Sequence, residues 1–202
     1  PTKFSGFESL NMGAEWSPEG TEVALSLSKD GNNEIYILDG TTGAIKSRLT
    51  NHDAIDSSPT WSPDGQSIVF VSDRGGSPQL YVIGRDGRGL RHLSTGHGYC
   101  TSPEWSPTGS LIAFNAMRTG ETFDIHLYDM NTGRVRTLTH HSGSNEDPSW
   151  SPDGRYLVFS STRGSTRKQR RKNLFIISAT GGRATQITRR NVLYSTPTWS
   201  PW

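Results

Sequence analysis

Apolar residues along this chain occur in short runs of about five, separated by turns rich in Gly, Pro, Asp and Ser. The stretch from Trp61 to Glu104 is representative. Its runs are β-branched and aromatic, and Asp-Gly turns follow two of its segments. No window repeats its apolar residues every 3.6 positions, as an amphipathic helix would. The pattern therefore predicts an all-β chain with almost no helix.

The tripeptide Trp-Ser-Pro divides the chain into repeats. It begins at Trp16, Trp61, Trp105, Trp150 and Trp199, so the spacings are 45, 44, 45 and 49 residues. Each full period holds four strand-forming segments joined by short turns, which predicts an antiparallel meander. A β-rich repeat of this length is typical of a β-propeller blade. We predict one propeller module with four complete repeats, at about 16–60, 61–104, 105–149 and 150–198.

Strand positions follow from the type unit. The first strand of each blade is expected to be short and to end at Trp-Ser-Pro, as in Pro59–Ser62, because Pro63 cannot donate a ladder hydrogen bond. The repeated tryptophan is expected to fill the space between neighbouring blades. The fourth strands are predicted at Ile45–Thr50, Leu90–Ser94, Val135–Thr139 and Ala184–Thr188.

Both ends of the sequence carry partial repeats. The segment Thr2–Trp16 aligns without a gap on Ser47–Trp61, so it reads as the end of a fourth strand, and Thr196–Pro201 reads as a first strand. Two arrangements remain open. The favoured one is the C-terminal part of a longer propeller of about six blades. In the other, the chain closes as a small ring with a deficient blade, or pairs with a second copy through open strand edges.

Composition excludes several classes. The net charge of +2 gives no general attraction to nucleic acid. No apolar run is long enough to span a membrane, and the first residues do not resemble a signal peptide. The single cysteine, Cys100, rules out an internal disulfide.

Candidate binding residues lie in the segments between each fourth strand and the next Trp-Ser-Pro. In a propeller these connections gather at one mouth of the central channel, and loops on a rigid scaffold commonly carry binding. Solvated loops without a ligand are the alternative. The residues expected to line the mouth are Leu10, Asn11, Met12, Asp56, Ser57, Cys100, Thr101, Glu146, Asp147, Tyr194 and Ser195.

Metal binding and catalysis have weak support in the sequence. His52, His97, His140 and His141 fall in the same segments, but adjacent histidines on an extended chain point in opposite directions. Calcium at a mouth lined by Asp53, Asp56, Glu146 and Asp147 remains an alternative, and otherwise no cofactor is expected. No Gly-X-Ser-X-Gly motif and no Gly-rich phosphate loop occur, so no enzymatic activity is expected.

A basic loop lengthens the last repeat. It lies between the second and third strands of that repeat and contains no acid. Without its six cations the chain would carry −4 instead of +2. The loop could dock on an anionic partner, or it could be simply solvated. Its cations are Arg163, Arg167, Lys168, Arg170, Arg171 and Lys172.

The chain resembles the TolB propeller family over its whole length. The repeat Trp-Ser-Pro-Asp-Gly stands at Trp61–Gly65 and Trp150–Gly154, as in the broader group of PD-repeat propellers. More specific similarities are Asn11–Pro18 with Ala24–Gly31, then Glu34–Asp39, and the ending Pro197–Trp202. The family's N-terminal α/β domain and about two blades have no counterpart in this sequence.

The resemblance implies a function in the Gram-negative periplasm. Members of the family act as scaffolds that contact a peptidoglycan-associated lipoprotein through the propeller face and channel mouth. We therefore expect a protein partner, with no nucleic acid and no membrane insertion. Two alternatives remain: an accessory propeller that gates substrate to a peptidase domain, and a self-assembling array of blades.

Overall fold

The computed structural model describes residues 11–29, 31–118, 122–140, 143–164, 171–188 and 193–199. These residues form four antiparallel sheets of four strands each, and the strands of every sheet follow one another in chain order. The described part of the chain contains no helix, and so none that could cross a membrane. The prediction of an all-β chain built from four four-stranded repeats is confirmed.

Each sheet corresponds to one repeat and is called a blade here. Blade 1 consists of β1 (Asn11–Trp16), β2 (Glu22–Leu27), β3 (Glu34–Asp39) and β4 (Ile45–Arg48). Blade 2 consists of β5 (Asp56–Trp61), β6 (Ser67–Ser72), β7 (Gln79–Gly84) and β8 (Arg91–His92). Blade 3 consists of β9 (Cys100–Trp105), β10 (Leu111–Arg118), β11 (Thr122–Asp129) and β12 (Val135–Thr137). Blade 4 consists of β13 (Asn145–Trp150), β14 (Tyr156–Ser161), β15 (Asn173–Ser178) and β16 (Thr185–Gln186).

The blades belong to two compact units. Unit 1 comprises Pro1–Ser94 and contains blades 1 and 2, whereas unit 2 comprises Thr95–Trp202 and contains blades 3 and 4. Within each unit the first strand of the later blade packs against the earlier blade: β5 contacts β1, β2 and β3, and β13 contacts β9, β10 and β11. The two units therefore repeat the same pairwise packing.

First strands begin earlier than the sequence predicts, because each contains a β-bulge. In β5 the register with β6 shifts between Ser57 and Thr60, and Ser58 between them has a φ of 51°. Pro59 follows within the bulge, where a missing N–H is tolerated. The equivalent residues Gly13, Ser102, Asp147 and Thr196 also have positive φ. The first strand of blade 2 therefore begins at Asp56, three residues before the proline at which the sequence pattern predicts its start.

Fourth strands are shorter than predicted, and a side chain explains why. Thr139 Oγ1 accepts the backbone N–H of Ile125 at 2.9 Å, so a hydroxyl replaces the backbone acceptor that a longer β12 would supply. Thr50 and Thr188 accept the N–H groups of Ile35 and Leu174 in the same way. The fourth strand can therefore leave the sheet early without orphaning a buried donor.

The core of each unit lies between its two blades. In unit 1, Ala24, Ile35 and Leu49 of blade 1 pack with Trp61 and Phe70 of blade 2. Blades 3 and 4 form a matching cluster in unit 2, where Trp150 takes the place of Trp61. Only 3% of Trp61 and 5% of Trp150 are exposed, whereas Trp16, the last residue of the first strand of blade 1, is 52% exposed. The inter-blade role predicted for the tryptophan therefore holds for the second blade of each unit.

Replacement of Trp150 by Ala should cost about 3–5 kcal/mol of unfolding free energy, because a large buried aromatic is lost and a cavity remains. Trp16→Ala is the matched control, and its cost should be less than half as large since the ring is half exposed. Urea denaturation of both variants measures the difference. Equal costs would contradict the assignment of Trp150 to the inter-blade core.

Candidate binding surface

Most of the predicted mouth residues lie at the start of first strands rather than in the loops before them, whereas Tyr194 and Ser195 lie outside the strands. Asp56 and Ser57 are the first residues of β5, Cys100 and Thr101 begin β9, and Glu146 is the second residue of β13. The sequence pattern did not indicate that the first strands begin this early, because the bulge interrupts their pairing. Leu10 and the side chains of Asn11 and Met12 lie outside the described part of the structure.

Unit 1 offers little accessible surface at these positions. Asp56 is fully buried, and its Oδ2 accepts a bond from Arg74 at 2.8 Å. Burial raises the pKa of the Asp56 carboxyl, although Arg74 acts in the opposite direction. Ser26 of blade 1 donates its hydroxyl to the Asp56 carbonyl oxygen at 2.6 Å. Asp56 therefore joins blade 1 to blade 2, and Ser57 beside it is also buried.

Cys100 is likewise enclosed, in unit 2. Its Sγ lies 3.2 Å from Thr95 Oγ1, and burial raises the pKa of the thiol to about 11. A thiol in this environment is inert. Thr101, the next residue, is partly exposed and so remains available to a partner.

The candidate His97 belongs, with His126 of β11, to an aromatic cluster of unit 2. The rings of His97 and His126 are 4.2 Å apart between centroids, and His126 also stacks on Phe114 at 5.6 Å. Burial lowers the pKa of His126 to about 4, and the charges of His97 and His140 act in the same direction. His126 is therefore neutral at physiological pH and serves packing. His141 lies outside the described residues.

Unit 2 carries the accessible part of the predicted surface. We call Glu146, Asp147, Lys172, Tyr194 and Ser195 the unit 2 patch. Lys172 Nζ lies 2.9 Å from Glu146 Oε2, and each of these two side chains is 24% exposed. The backbone N–H of Tyr194 donates to the Lys172 carbonyl oxygen at 3.0 Å. The ion pair and this bond connect three segments of the chain at one place.

Hydrogen bonds hold the backbone of the patch in place. Ser160 Oγ bonds both the Glu146 carbonyl oxygen at 3.1 Å and Asp147 Oδ2 at 3.2 Å. Asp147 Oδ2 also accepts the Thr196 N–H at 3.4 Å. Asp147 has a φ of 55°, a left-handed conformation that Asp tolerates better than most residues. The patch is thus a partly exposed polar surface on a fixed backbone.

The basic loop is only partly described. Arg163, Arg171 and Lys172 are within the described residues, and Arg167, Lys168 and Arg170 are outside them. Lys172 pairs with Glu146 in the unit 2 patch. Arg163 is half-buried, with its guanidinium 4.4 Å from the Phe175 ring centroid. These two cations therefore make contacts within blade 4, and docking of the loop on an anionic partner stays a prediction.

The sequence reading missed a pair of carboxylates that precede tryptophan. Glu15 Oε2 accepts the backbone N–H of Trp61 at 3.0 Å, and Glu104 Oε1 accepts that of Trp150 at 3.0 Å. The indole N–H of the same tryptophan donates to the Glu15 or Glu104 carbonyl oxygen, at 3.2 and 3.1 Å. Glu precedes Trp in alternate repeats, and this pattern is visible in the sequence. The tryptophan that each of these glutamates contacts lies one repeat later in the chain.

Carboxylates proposed for calcium are engaged elsewhere. Asp56 faces Arg74 within unit 1, and Glu146 faces Lys172 within unit 2. Among the described residues, no group of three or more His, Cys, Asp and Glu side chains could hold a metal ion. In the part of the chain that the structure describes, no set of side chains is arranged to bind calcium, and calcium binding stays a prediction.

One apolar position of blade 4 differs from its equivalents. Leu49 and Leu138 occupy the corresponding sites in blades 1 and 3, with 8% and 4% exposed, and both pack in inter-blade clusters. Ile187 is 51% exposed. Blade 4 therefore exposes an apolar side chain that blades 1 and 3 bury, and self-association through open blade edges stays a prediction.

Up-and-down sheets of four strands, each led by a bulged strand ending at Trp-Ser-Pro, are the blades of a β-propeller protein. The chain belongs to the TolB β-propeller family, whose domain profile matches residues 2–202. A comparison with curated protein sequences gave no significant match.

Solved structures agree with this assignment. The structure of TolB from Acinetobacter baumannii is 31% identical, with a TM-score of 0.84, and the alignment covers 97% of this chain but 47% of that one. This chain thus spans about half the length of that relative. A structure assigned as TolB from Agrobacterium tumefaciens is 22% identical, with a TM-score of 0.70 over 88% of this chain and 80% of that one. A nidogen/laminin complex, 12% identical, has a TM-score of 0.71 over 88% and 64%, and it supports the fold alone.

The Glu15 contact predicts a pH dependence of stability. Burial raises the pKa of Glu15 to about 7 from an ordinary 4.5, although bonds from Thr60 and Trp61 act against the shift. A raised folded-state pKa gives stability that is complete below 4.5 and is lost as the pH rises through about 7. Glu15→Gln does not titrate, so it should lose less stability than the wild type between about pH 5 and pH 8.

Urea denaturation at both pH values measures this difference. Asp39→Asn is the control, because hydrogen bonds from Thr42 and Thr41 already lower the pKa of Asp39. Its pH dependence should match that of the wild type. If Glu15→Gln retained the full wild-type loss between the two pH values, the raised pKa of the partly buried Glu15 would be contradicted.

Proposed function

We propose that this chain is a non-enzymatic protein-binding module, acting as part of a TolB-like propeller in a Tol–Pal type complex of the Gram-negative envelope. Its proposed partner is a peptidoglycan-associated lipoprotein, and its proposed location is the periplasm. Membership of the TolB propeller family supports the proposal. The 31% identity to TolB from Acinetobacter baumannii supports it further.

The observation that carries the proposal is the accessible, hydrogen-bonded surface of the unit 2 patch. The unit 2 patch offers two carboxylates, an ammonium, an aromatic side chain and a hydroxyl, all at least partly exposed. Its backbone is held by Ser160 and by the Tyr194–Lys172 bond. A rigid surface loses little entropy on binding, which favours recognition of a folded partner.

Chemistry in the same region favours binding over catalysis. Cys100, the one thiol, is buried and has a raised pKa, so it is a poor nucleophile. Glu146 is paired with Lys172, and Asp147 accepts hydrogen bonds from Ser160 and Thr196, so both carboxylates of the patch are engaged in structural contacts. Contact with a protein surface requires neither a nucleophile nor a base with a shifted pKa.

The test compares two substitutions to Arg for binding to the soluble domain of a peptidoglycan-associated lipoprotein. Ser195→Arg adds bulk and charge at an exposed position of the unit 2 patch, and it should weaken binding at least about tenfold. Ser195 is preferred to Ser57, because Ser57 is buried and a large side chain there would disturb packing.

Thr132→Arg is the matched control. Thr132 lies in the exposed turn between β11 and β12, away from the first strands, so affinity should be unchanged. Thermal unfolding verifies that both variants remain folded, and calorimetry gives the affinities. Equal affinity of the two variants would exclude the unit 2 patch as the site. Absence of binding by the unchanged chain would overturn the assignment of this partner.

A further inference from the structure

Unit 2 contains a cavity between the outer strand of blade 3 and the outer part of blade 4. Its volume is about 270 Å³, slightly below the range usual for sites of drug-sized ligands. Arg136, Thr137 and His140 line it from blade 3, and Arg163, Ile177 and Thr180 line it from blade 4. The cavity is separate from the unit 2 patch, since none of the patch residues lines it.

The charge of the cavity is one-sided. Two guanidinium groups and an imidazole line it, and none of its lining residues within the described part of the chain is acidic. Leu138, Ile177 and Ala184 supply apolar surface beside these cations. A cavity of this composition suits an anion with a short hydrocarbon part.

Arg163 is held in a fixed orientation. Its guanidinium lies 4.4 Å from the Phe175 ring centroid and 5.4 Å from that of Phe159. Nε donates to Ser161 Oγ at 3.0 Å, and Nη2 donates to Asn145 Oδ1 at 2.8 Å. Both acceptors are neutral, and burial lowers the pKa of the guanidinium. The positive charge is thus positioned but not neutralised by these contacts.

The equivalent arginine of unit 1 has a carboxylate partner. Arg74 stacks on Phe70 and Tyr81, at 5.5 and 5.0 Å, and donates to Ser72 Oγ at 2.8 Å. Its Nη2 also contacts Asp56 Oδ2 at 2.8 Å. Blade 4 has Asn145 where blade 2 has Asp56. The substitution removes the counter-charge while every other contact of the guanidinium is kept.

The carboxylate of Asp124 acts electrostatically on Arg163, but it already has an ion-pair partner and hydrogen-bond donors of its own. Asp124 Oδ2 pairs with Arg118 at 3.2 Å. Asp124 Oδ1 accepts bonds from Thr139 Oγ1 and Asn145 Nδ2, each at 2.8 Å. Within the described residues, neither Arg163 nor Arg136 forms an ion pair, and Arg136 donates to the Ala179 carbonyl oxygen.

We propose that this cavity binds a carboxylate group, with Arg163 and Arg136 as its counter-ions and with Leu138, Ile177 and Ala184 against the attached methylene groups. A carboxylate is the favoured anion because unit 1 uses one to neutralise the same guanidinium. The group can belong to a free short dicarboxylate or to an acidic side chain of a peptide. Both sources present the same chemistry to the cavity.

Calorimetric titration of the full chain tests the proposal with two probes, succinate and an end-blocked Gly-Glu-Gly peptide. The neutral amides, succinamide and Gly-Gln-Gly, are their controls. We expect saturable binding of one carboxylate per chain for at least one probe and none for its amide. Binding of succinate alone identifies a free dicarboxylate as the ligand class, and binding of the peptide alone identifies an acidic side chain.

Matched variants locate the site. Arg136→Gln should weaken binding about tenfold, because one charge-assisted contact is lost. Arg134→Gln makes the same charge change on an exposed neighbour that does not line the cavity, and it should leave affinity within about twofold. Thr180→Glu places a carboxylate at the cavity while retaining both arginines, so it should abolish binding of the added probe.

Three outcomes would overturn the proposal. The first is absence of saturable binding of either carboxylate up to about 10 mM, which corresponds to less than ~3 kcal/mol of affinity. The second is equal binding of the amides. The third is equal weakening by Arg134→Gln and Arg136→Gln, which would indicate a general effect of net charge. Thermal unfolding of Thr180→Glu verifies that its loss of binding does not come from unfolding.

Discussion

The structure of each unit depends on how Trp61, Trp150 and Trp199 are attached to the blade before them, whereas the indole of Trp105 donates within its own blade to the Gly109 carbonyl oxygen. The indole N–H of Trp61 donates to Glu15 O, that of Trp150 to Glu104 O, and that of Trp199 to Ser149 O, over 3.0–3.2 Å. A buried indole needs an acceptor for its N–H. The acceptor lies one repeat earlier, so the bond that satisfies the ring also sets the distance between neighbouring blades within a unit. The inter-blade cores form around this contact.

A second constraint follows from this attachment. The first strand must pair with its own blade while it packs against the previous one, and the bulge before each tryptophan allows both. The chain turns through a left-handed residue three positions before each tryptophan, and where that residue is Gly13 an added Cβ would lie 3.1 Å from Ser58 Cα of the next blade. The bulge thus brings the first strands of blades 1 and 2 into close contact, and the same bulge in β13 contains Asp147 of the unit 2 patch.

The polar groups around this frame differ between the units, and the differences are where function can arise. Unit 1 pairs its buried charges internally: Glu22 binds Lys46 and Arg85, and Asp56 binds Arg74. In unit 2, Asn145 leaves Arg163 without such a pair, and Glu146 with Lys172 forms an ion pair that solvent can reach. Unit 2 also pairs the buried Asp124 with Arg118, so the difference between the units lies in the positions of Asn145 and Glu146.

Sequence alone determined the number of repeats and the order of four antiparallel strands in each, because apolar alternation, glycine turns and Trp-Ser-Pro are local features. It also indicated the family, since the repeat motif is itself the family's pattern. Only the tertiary structure decided where the first strands begin and the fourth strands end, because a bulge and a threonine hydroxyl set those limits. It alone revealed that Asp56 and Cys100 are buried while the unit 2 patch is accessible. Burial and charge pairing arise between residues a full repeat apart, and no local pattern in the sequence encodes which of them meet.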